Sequence, residues 1–299
     1  VSKTNETLDE AYAECRRIAL GHYENFPVGS LLIPRNLRKH LFALYAFLRS
    51  ADDFADLTTR TSSERLRLLQ DWRAKLASIY DGTIPEDPIF LALLDTIQEF
   101  DLLRTPFELL LDAFEFDARG EVRFETYEDL HWYTQRSAEP VGQLVLALFG
   151  YRDAERIEWS NNICSALQLI NFLQDAKEDL CTGRCYFPRQ AFQKFGIANE
   201  KEIISSEQFG TLVLQECDRI EEILRKGMPL VESVSGRLKL ELRAVVSGAR
   251  LMLGKIRAMN GRTIDARPKL STLEKRRILF DAMRKSPSFQ GGGQWSNGV

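Results

Sequence analysis

Two acidic runs set inside apolar helical patterns constrain this chain more than anything else in it. Asp52-Asp53-Phe54-Ala55-Asp56 follows the apolar stretch Leu41 to Leu48, and Asn171-Phe172-Leu173-Gln174-Asp175-Ala176-Lys177-Glu178-Asp179 follows Ala166 to Ile170. Residues four apart share a helix face, so Asp52 and Asp56 point one way. Asn171, Asp175 and Asp179 do the same over two turns, with Gln168 a turn earlier. Like charges at that spacing repel, and burying them unpaired is costly. The fold must therefore supply cations, and hard oxygen donors select Mg²⁺.

The rest of the pattern is helical. Apolar periodicity predicts helices over 5–22, 35–57, 63–80, 86–101, 105–118, 126–149, 153–181, 206–233, 236–259 and 271–285. Proline and glycine fall between them, at Pro34, Pro88, Pro106, Gly120, Gly150 and Gly183 among others. Thr61-Ser62-Ser63-Glu64 and Ser205-Ser206-Glu207 are helix-start signals. Alternation is confined to short pieces such as Glu121 to Phe124, and no internal repeat or linker divides the chain. These features predict one all-α domain over 5–285, with 286–299 a flexible tail.

Composition removes several function classes. A net charge of −3 gives no basic field for nucleic acid. The five cysteines are odd in number and scattered, as expected of reduced thiols in a cytoplasm. Cys181 and Cys185 have no neighbours to complete a tetrahedral metal site. The sequence lacks both a signal core and the ~20-residue apolar run of a membrane span. A cytoplasmic protein, at most peripheral to the inner membrane face, is expected.

The two acidic patterns, their separation and the all-α reading resemble the squalene/phytoene synthase family, over about residues 10 to 270. That resemblance implies an isoprenoid-synthase helix bundle with a central substrate cavity, handling prenyl diphosphates with about three Mg²⁺. It implies metal ligation by Asp52, Asp53, Asp56, Asn171, Asp175 and Asp179. His22-Tyr23-Glu24-Asn25-Phe26 resembles the family segment that closes over a diphosphate, so His22, Asn25 and Phe26 are implied to meet substrate. Tyr45 and Arg49 match a pocket tyrosine and a diphosphate-binding arginine. Tyr133, Ala138 and Val141-Gly142 match a helix whose small residues leave room for a polyprenyl chain. Gln168 matches a pocket glutamine, and Arg184 and Tyr186 match an Arg-x-Tyr after the second motif. Lys177 joins Arg49, Arg184 and Tyr186 as a candidate diphosphate clamp.

Within the family, the segments Glu24 to Val28, Asp52 to Asp56 and Asn171 to Asp175 are most similar to the hydroxysqualene synthase branch. This branch converts presqualene diphosphate and water without NADPH. Condensing relatives usually carry Arg where this chain has Gln174, and holding one polyanion instead of two tolerates that lost cation. Rival readings are head-to-head prenyl diphosphate condensation, an NADPH-dependent squalene synthase, and a non-catalytic scaffold of the same fold. Asn25, Tyr45 and Gln168 are candidates to place the quenching water, while Phe26, Tyr45 and Tyr133 are candidates to face a carbocation. Taken alone, Asp52/Asp56 reads as a solvated helix face, Tyr45 and Tyr133 as core aromatics, and Arg184 as a helix-end cap.

Overall fold

The computed structural model describes residues 2–21, 32–120, 122–203 and 206–284. Among them are fifteen helices and no strand. In chain order these are α1 (Ser2–Gly21), α2 (Arg35–Asp56), α3 (Ser62–Tyr80), α4 (Pro88–Phe100), α5 (Thr105–Ala118), α6 (Tyr127–Ser137), α7 (Glu139–Leu148) and α8 (Ala154–Gln174). They continue with α9 (Ala176–Cys181), α10 (Arg189–Lys194), α11 (Glu200–Ile203), α12 (Phe209–Gly227), α13 (Pro229–Ser233), α14 (Gly236–Ala258) and α15 (Thr272–Met283). The all-α expectation holds.

Three long expected helices are split. The 126–149 helix breaks at Ala138, because Pro140 has no N–H to continue the ladder. The 206–233 helix ends at Gly227, where Pro229 interrupts it in the same way. Its start also moves, since Ser206 Oγ accepts from the Gln208 amide and α12 begins only at Phe209. The 153–181 helix divides at Asp175, yet the bonds from Asp175 N to Asn171 O and Asp179 N to Asp175 O persist at 2.9 Å each. The face shared by Asn171, Asp175 and Asp179 thus survives the break. By contrast, Thr61 and Glu64 form the anticipated capping box on α3.

Burial divides into two cores. Phe47, Trp72, Phe90 and Phe107 centre the first, on α2 to α5, with Phe47 5.6 to 5.8 Å from the other three rings. The second gathers α8, α12 and α14 around residues such as Ile163, Phe209 and Leu253. Val145 of α7 and Phe149, which caps that helix, pack on both. Glycines set the tightest crossings onto α8: a Cβ at Gly142 would lie 2.4 Å from Ser160 Oγ and 2.6 Å from Cys164 Sγ. Gly142 is therefore small to admit α8, a correction to the reading that its size makes room for a substrate chain. Gly227 plays the same part for α12, against Ile163 and Trp159.

Candidate active site at the facing acidic motifs

The two acidic motifs meet at Arg184. This arginine follows α9, where its backbone N–H bonds Asp179 O at 2.8 Å, and its side chain reaches back to α2 to hydrogen-bond Asp56. It is also near enough to Asp52, Asp117 and Asp179 to pull their carboxyls down. Arg184 thus links residues 123 positions apart, counting from Asp56 to Asp179, its guanidinium bonding the first and its backbone the second.

Two further arginines sit on the motifs. Arg49, one turn before Asp53 on α2, donates to Asp52 at 3.2 Å and to Asp53 at 2.5 Å. Arg267 forks onto Asp175, with its Nη2 at 3.1 Å from Oδ2 and its Nε on Oδ1. Bidentate pairs of this kind are the stronger class of charged hydrogen bond. Gln174 does not face the motif: its Nε2 donates to Pro268 O at 3.0 Å, fastening the loop that delivers Arg267. The inference that Gln174 leaves the second motif short of a cation is corrected here, because Arg267 provides one from another part of the chain.

Even so, negative charge dominates. Burial, and then Asp56 beside it, push the Asp52 carboxyl up to about 6. Asp179 is pushed up to about 7, again by burial first and then by Asp175. The donors are carboxylates plus the Asn171 amide, all hard oxygen, and their mutual repulsion is what a bound divalent cation relieves. Asp52, Asp53, Asp56, Asn171, Asp175 and Asp179 therefore fit Mg²⁺ as a donor set.

Behind the carboxylates stands an aromatic wall. Tyr186 lies flat on Phe172, with centroids 3.7 Å apart and planes 4° from parallel. Tyr133 is 5.9 Å from Tyr186 and 6.1 Å from Phe172. Tyr133 is only 3% exposed, and its hydroxyl donates to both Asp117 oxygens at 2.9 and 3.0 Å. It backs the wall, with its hydroxyl turned to Asp117. Asp117, on the face that α5 turns inward with Leu110 and Ala113, is pushed up to about 7 by lost hydration. Sequence reasoning missed it, although a carboxylate in an otherwise apolar register was a usable signal. Arg267 had no local signal.

The remaining candidates are placed as follows. Tyr45 is half-buried on α2, with burial raising its hydroxyl and Arg49 lowering it. Gln168 is half-buried on α8, and Asn171 is exposed at its end. Lys177 is exposed on α9 and close enough to Asp265 to lower that carboxyl. His22, Asn25 and Phe26 lie outside the described residues, as does the 286–299 tail. A recess of about 580 Å³ opens between α6, α8 and α12, near His131, Glu139, Ser165 and Lys226. No residue of either acidic motif lines it, so it is not the expected substrate cavity. Among the described residues, no helix is long and apolar enough to cross a membrane.

Comparison with known proteins gives a consistent outcome. The sequence profile of the squalene/phytoene synthase family matches residues 20–274. A presqualene diphosphate synthase of Rhodopseudomonas palustris is 34% identical over 191 residues, covering 64% of this chain and 67% of that protein. A phytoene synthase of Mycobacterium tuberculosis is 28% identical over 289 residues, 93% of this chain and 92% of that one. The crystal structure of the squalene synthase HpnC from Alicyclobacillus acidocaldarius superposes with a TM-score of 0.78 at 35% identity. That superposition covers 85% of this chain and 95% of the other.

Proposed function

The chain belongs to the squalene/phytoene synthase family, and from that membership we propose that it converts presqualene diphosphate to hydroxysqualene. The steps are loss of diphosphate, rearrangement of the cyclopropylcarbinyl cation, and capture of the product cation by water, without NADPH. The observation that carries the diphosphate chemistry is Arg184, which hydrogen-bonds Asp56 while its own backbone is bonded to Asp179. The choice of branch rests on the segments Glu24 to Val28, Asp52 to Asp56 and Asn171 to Asp175.

Mg²⁺ belongs to the same proposal: held by Asp52, Asp53, Asp56, Asn171, Asp175 and Asp179, it supplies Lewis-acid stabilisation of the departing charge. The chain's own residues do the rest. Arg49, Arg184 and Arg267 present guanidinium forks at the motifs, able to exchange carboxylate oxygens for diphosphate oxygens. Tyr45 and the Phe172–Tyr186 stack offer ring faces to a carbocation. His22, Asn25 and Phe26 are assigned to closing the site, and Gln168 or Tyr45 to placing the water.

A second reading has its own support. Arg267 keeps a cation on the second motif, which a condensing enzyme holding two diphosphates also needs, and the relative from Rhodopseudomonas palustris is a presqualene diphosphate synthase. Product analysis separates the two. With Mg²⁺ and no NADPH, presqualene diphosphate should yield hydroxysqualene, and farnesyl diphosphate alone should release no diphosphate. Condensation of farnesyl diphosphate with no turnover of presqualene diphosphate rejects the first reading.

Peripheral membrane contact is assigned to α15, which exposes Leu273, Phe280 and Met283 among Lys275, Arg276, Arg277 and Arg284. Basic residues beside apolar ones suit an anionic lipid surface. Co-sedimentation with vesicles containing anionic lipid should fall in Phe280→Ser/Met283→Ser, and unchanged binding rejects the assignment.

A further inference from the structure

At the end of α2 remote from the acidic motif, His40 is fully buried between α1 and α4. Its ring contacts fix its tautomer. The Thr96 hydroxyl donates to Ala92 O at 2.8 Å, so toward His40 Nδ1, 3.0 Å away, Thr96 Oγ1 can only accept. The Tyr12 hydroxyl donates to Asp95 Oδ2 at 2.6 Å, so its oxygen too can only accept at Nδ1, 3.1 Å away. Nδ1 therefore carries the proton, and Nε2 keeps a bare lone pair. That Nε2 is buried and has no hydrogen-bond partner. It faces Glu99 Oε2 at 3.3 Å. Burial favours the neutral imidazole, which leaves a lone pair set against a carboxylate.

We propose that His40, Asp95 and Glu99 form a binding site for a divalent transition-metal ion of the zinc class, separate from the acidic motifs. One ligand atom from each lies within 4.8 Å of the other two. Two ligands each about 2.1 Å from a tetrahedral ion lie about 3.4 Å apart, which the spacing from Nε2 to Glu99 already meets. An imidazole with two carboxylates selects zinc-class ions over the Mg²⁺ expected of an all-oxygen set. The Nδ1–H bond to Thr96 is the kind of outer contact that orients a ligating histidine. Glu99 is half exposed and gives the ion a path in. Lys39 competes weakly, with Nζ 3.7 Å from Asp95.

The ion would join α2 to α4, and through the Tyr12–Asp95 bond it would reach α1. His40 precedes Asp52 by about 18 Å along α2, so this staple would brace the helix that presents the first acidic motif.

The test uses the chelator-treated full chain, with Zn²⁺ binding followed by equilibrium dialysis and melting temperature in constant Mg²⁺. Glu99→Gln and Asp52→Asn are compared with the unsubstituted protein. One Zn²⁺ equivalent, with a raised melting temperature, should be present in the unsubstituted protein and in Asp52→Asn. Glu99→Gln removes a direct ligand and should weaken it by at least the ~10- to 100-fold that loss of an outer-shell partner costs. Zn²⁺ binding that survives Glu99→Gln, or that vanishes with Asp52→Asn, overturns the proposal. Co²⁺ titration of the unsubstituted protein provides a check needing no variant: visible bands of a tetrahedral nitrogen–oxygen site are expected, and their absence also overturns it.

Discussion

Asp117 shows how a single residue can matter to the site without belonging to either acidic motif. Its carboxyl accepts the Tyr133 hydroxyl, feels Arg184, and is pushed up to about 7 by lost hydration, with Asp52 and Asp56 adding to the rise. An unfolded aspartate titrates near 3.9. Between those values the folded chain holds the extra proton, so this group's contribution to stability falls as pH rises from about 4 to about 7. Asp117→Asn keeps an acceptor for Tyr133 and removes the titration. The metal-free variant should therefore be more stable than the unsubstituted protein at pH 8, by about 1 kcal/mol after allowance for partial exposure. The two should converge toward pH 5. Calorimetric melting across that range checks it, and parallel curves would show that Asp117 is not the titrating group.

Secondary elements were legible in the sequence to different depths, for identifiable reasons. The capping box at Thr61 and Glu64 is local chemistry and occurs where the sequence places it. The breaks at Ala138 and before Pro229 were written in the sequence too, since Pro140 and Pro229 lack N–H groups; the apolar periodicity running through them masked the signal. Arg267 could not be read locally, because its approach to Asp175 spans 92 positions and depends on the loop fastened by Gln174. Gly142 was legible as small but not as a crossing point, since its neighbours Ser160 and Cys164 belong to α8. Gly142→Ala should destabilise the protein by about 1–3 kcal/mol through overpacking. Adding Ser160→Ala and Cys164→Ala, which remove the two atoms it strikes, should recover part of that loss. Denaturant melts of the single and triple variants decide this, and a neutral single variant would show that α7 and α8 can separate at no cost.

Across the whole molecule, two cores are joined through α7, and the acidic motifs come from opposite sides of that division. The first motif sits on α2, within the α1–α5 core, and the second lies at the end of α8, within the other. Arg184 is where they touch. The repulsion that raises Asp52 and Asp179 comes, after burial, from carboxylates of their own motif, Asp56 and Asp175, and Arg184 acts on both groups. The most direct measurement is single-turnover release of diphosphate, with saturating Mg²⁺ and whichever prenyl diphosphate the product analysis identifies. It compares Asp56→Asn, Asp175→Asn and the double variant. If the two motifs act as one site, each single variant loses about 100- to 1,000-fold, and the double variant loses little more than the worse of the two. Losses that multiply in the double variant would mean that the motifs act independently, and would contradict a shared diphosphate site.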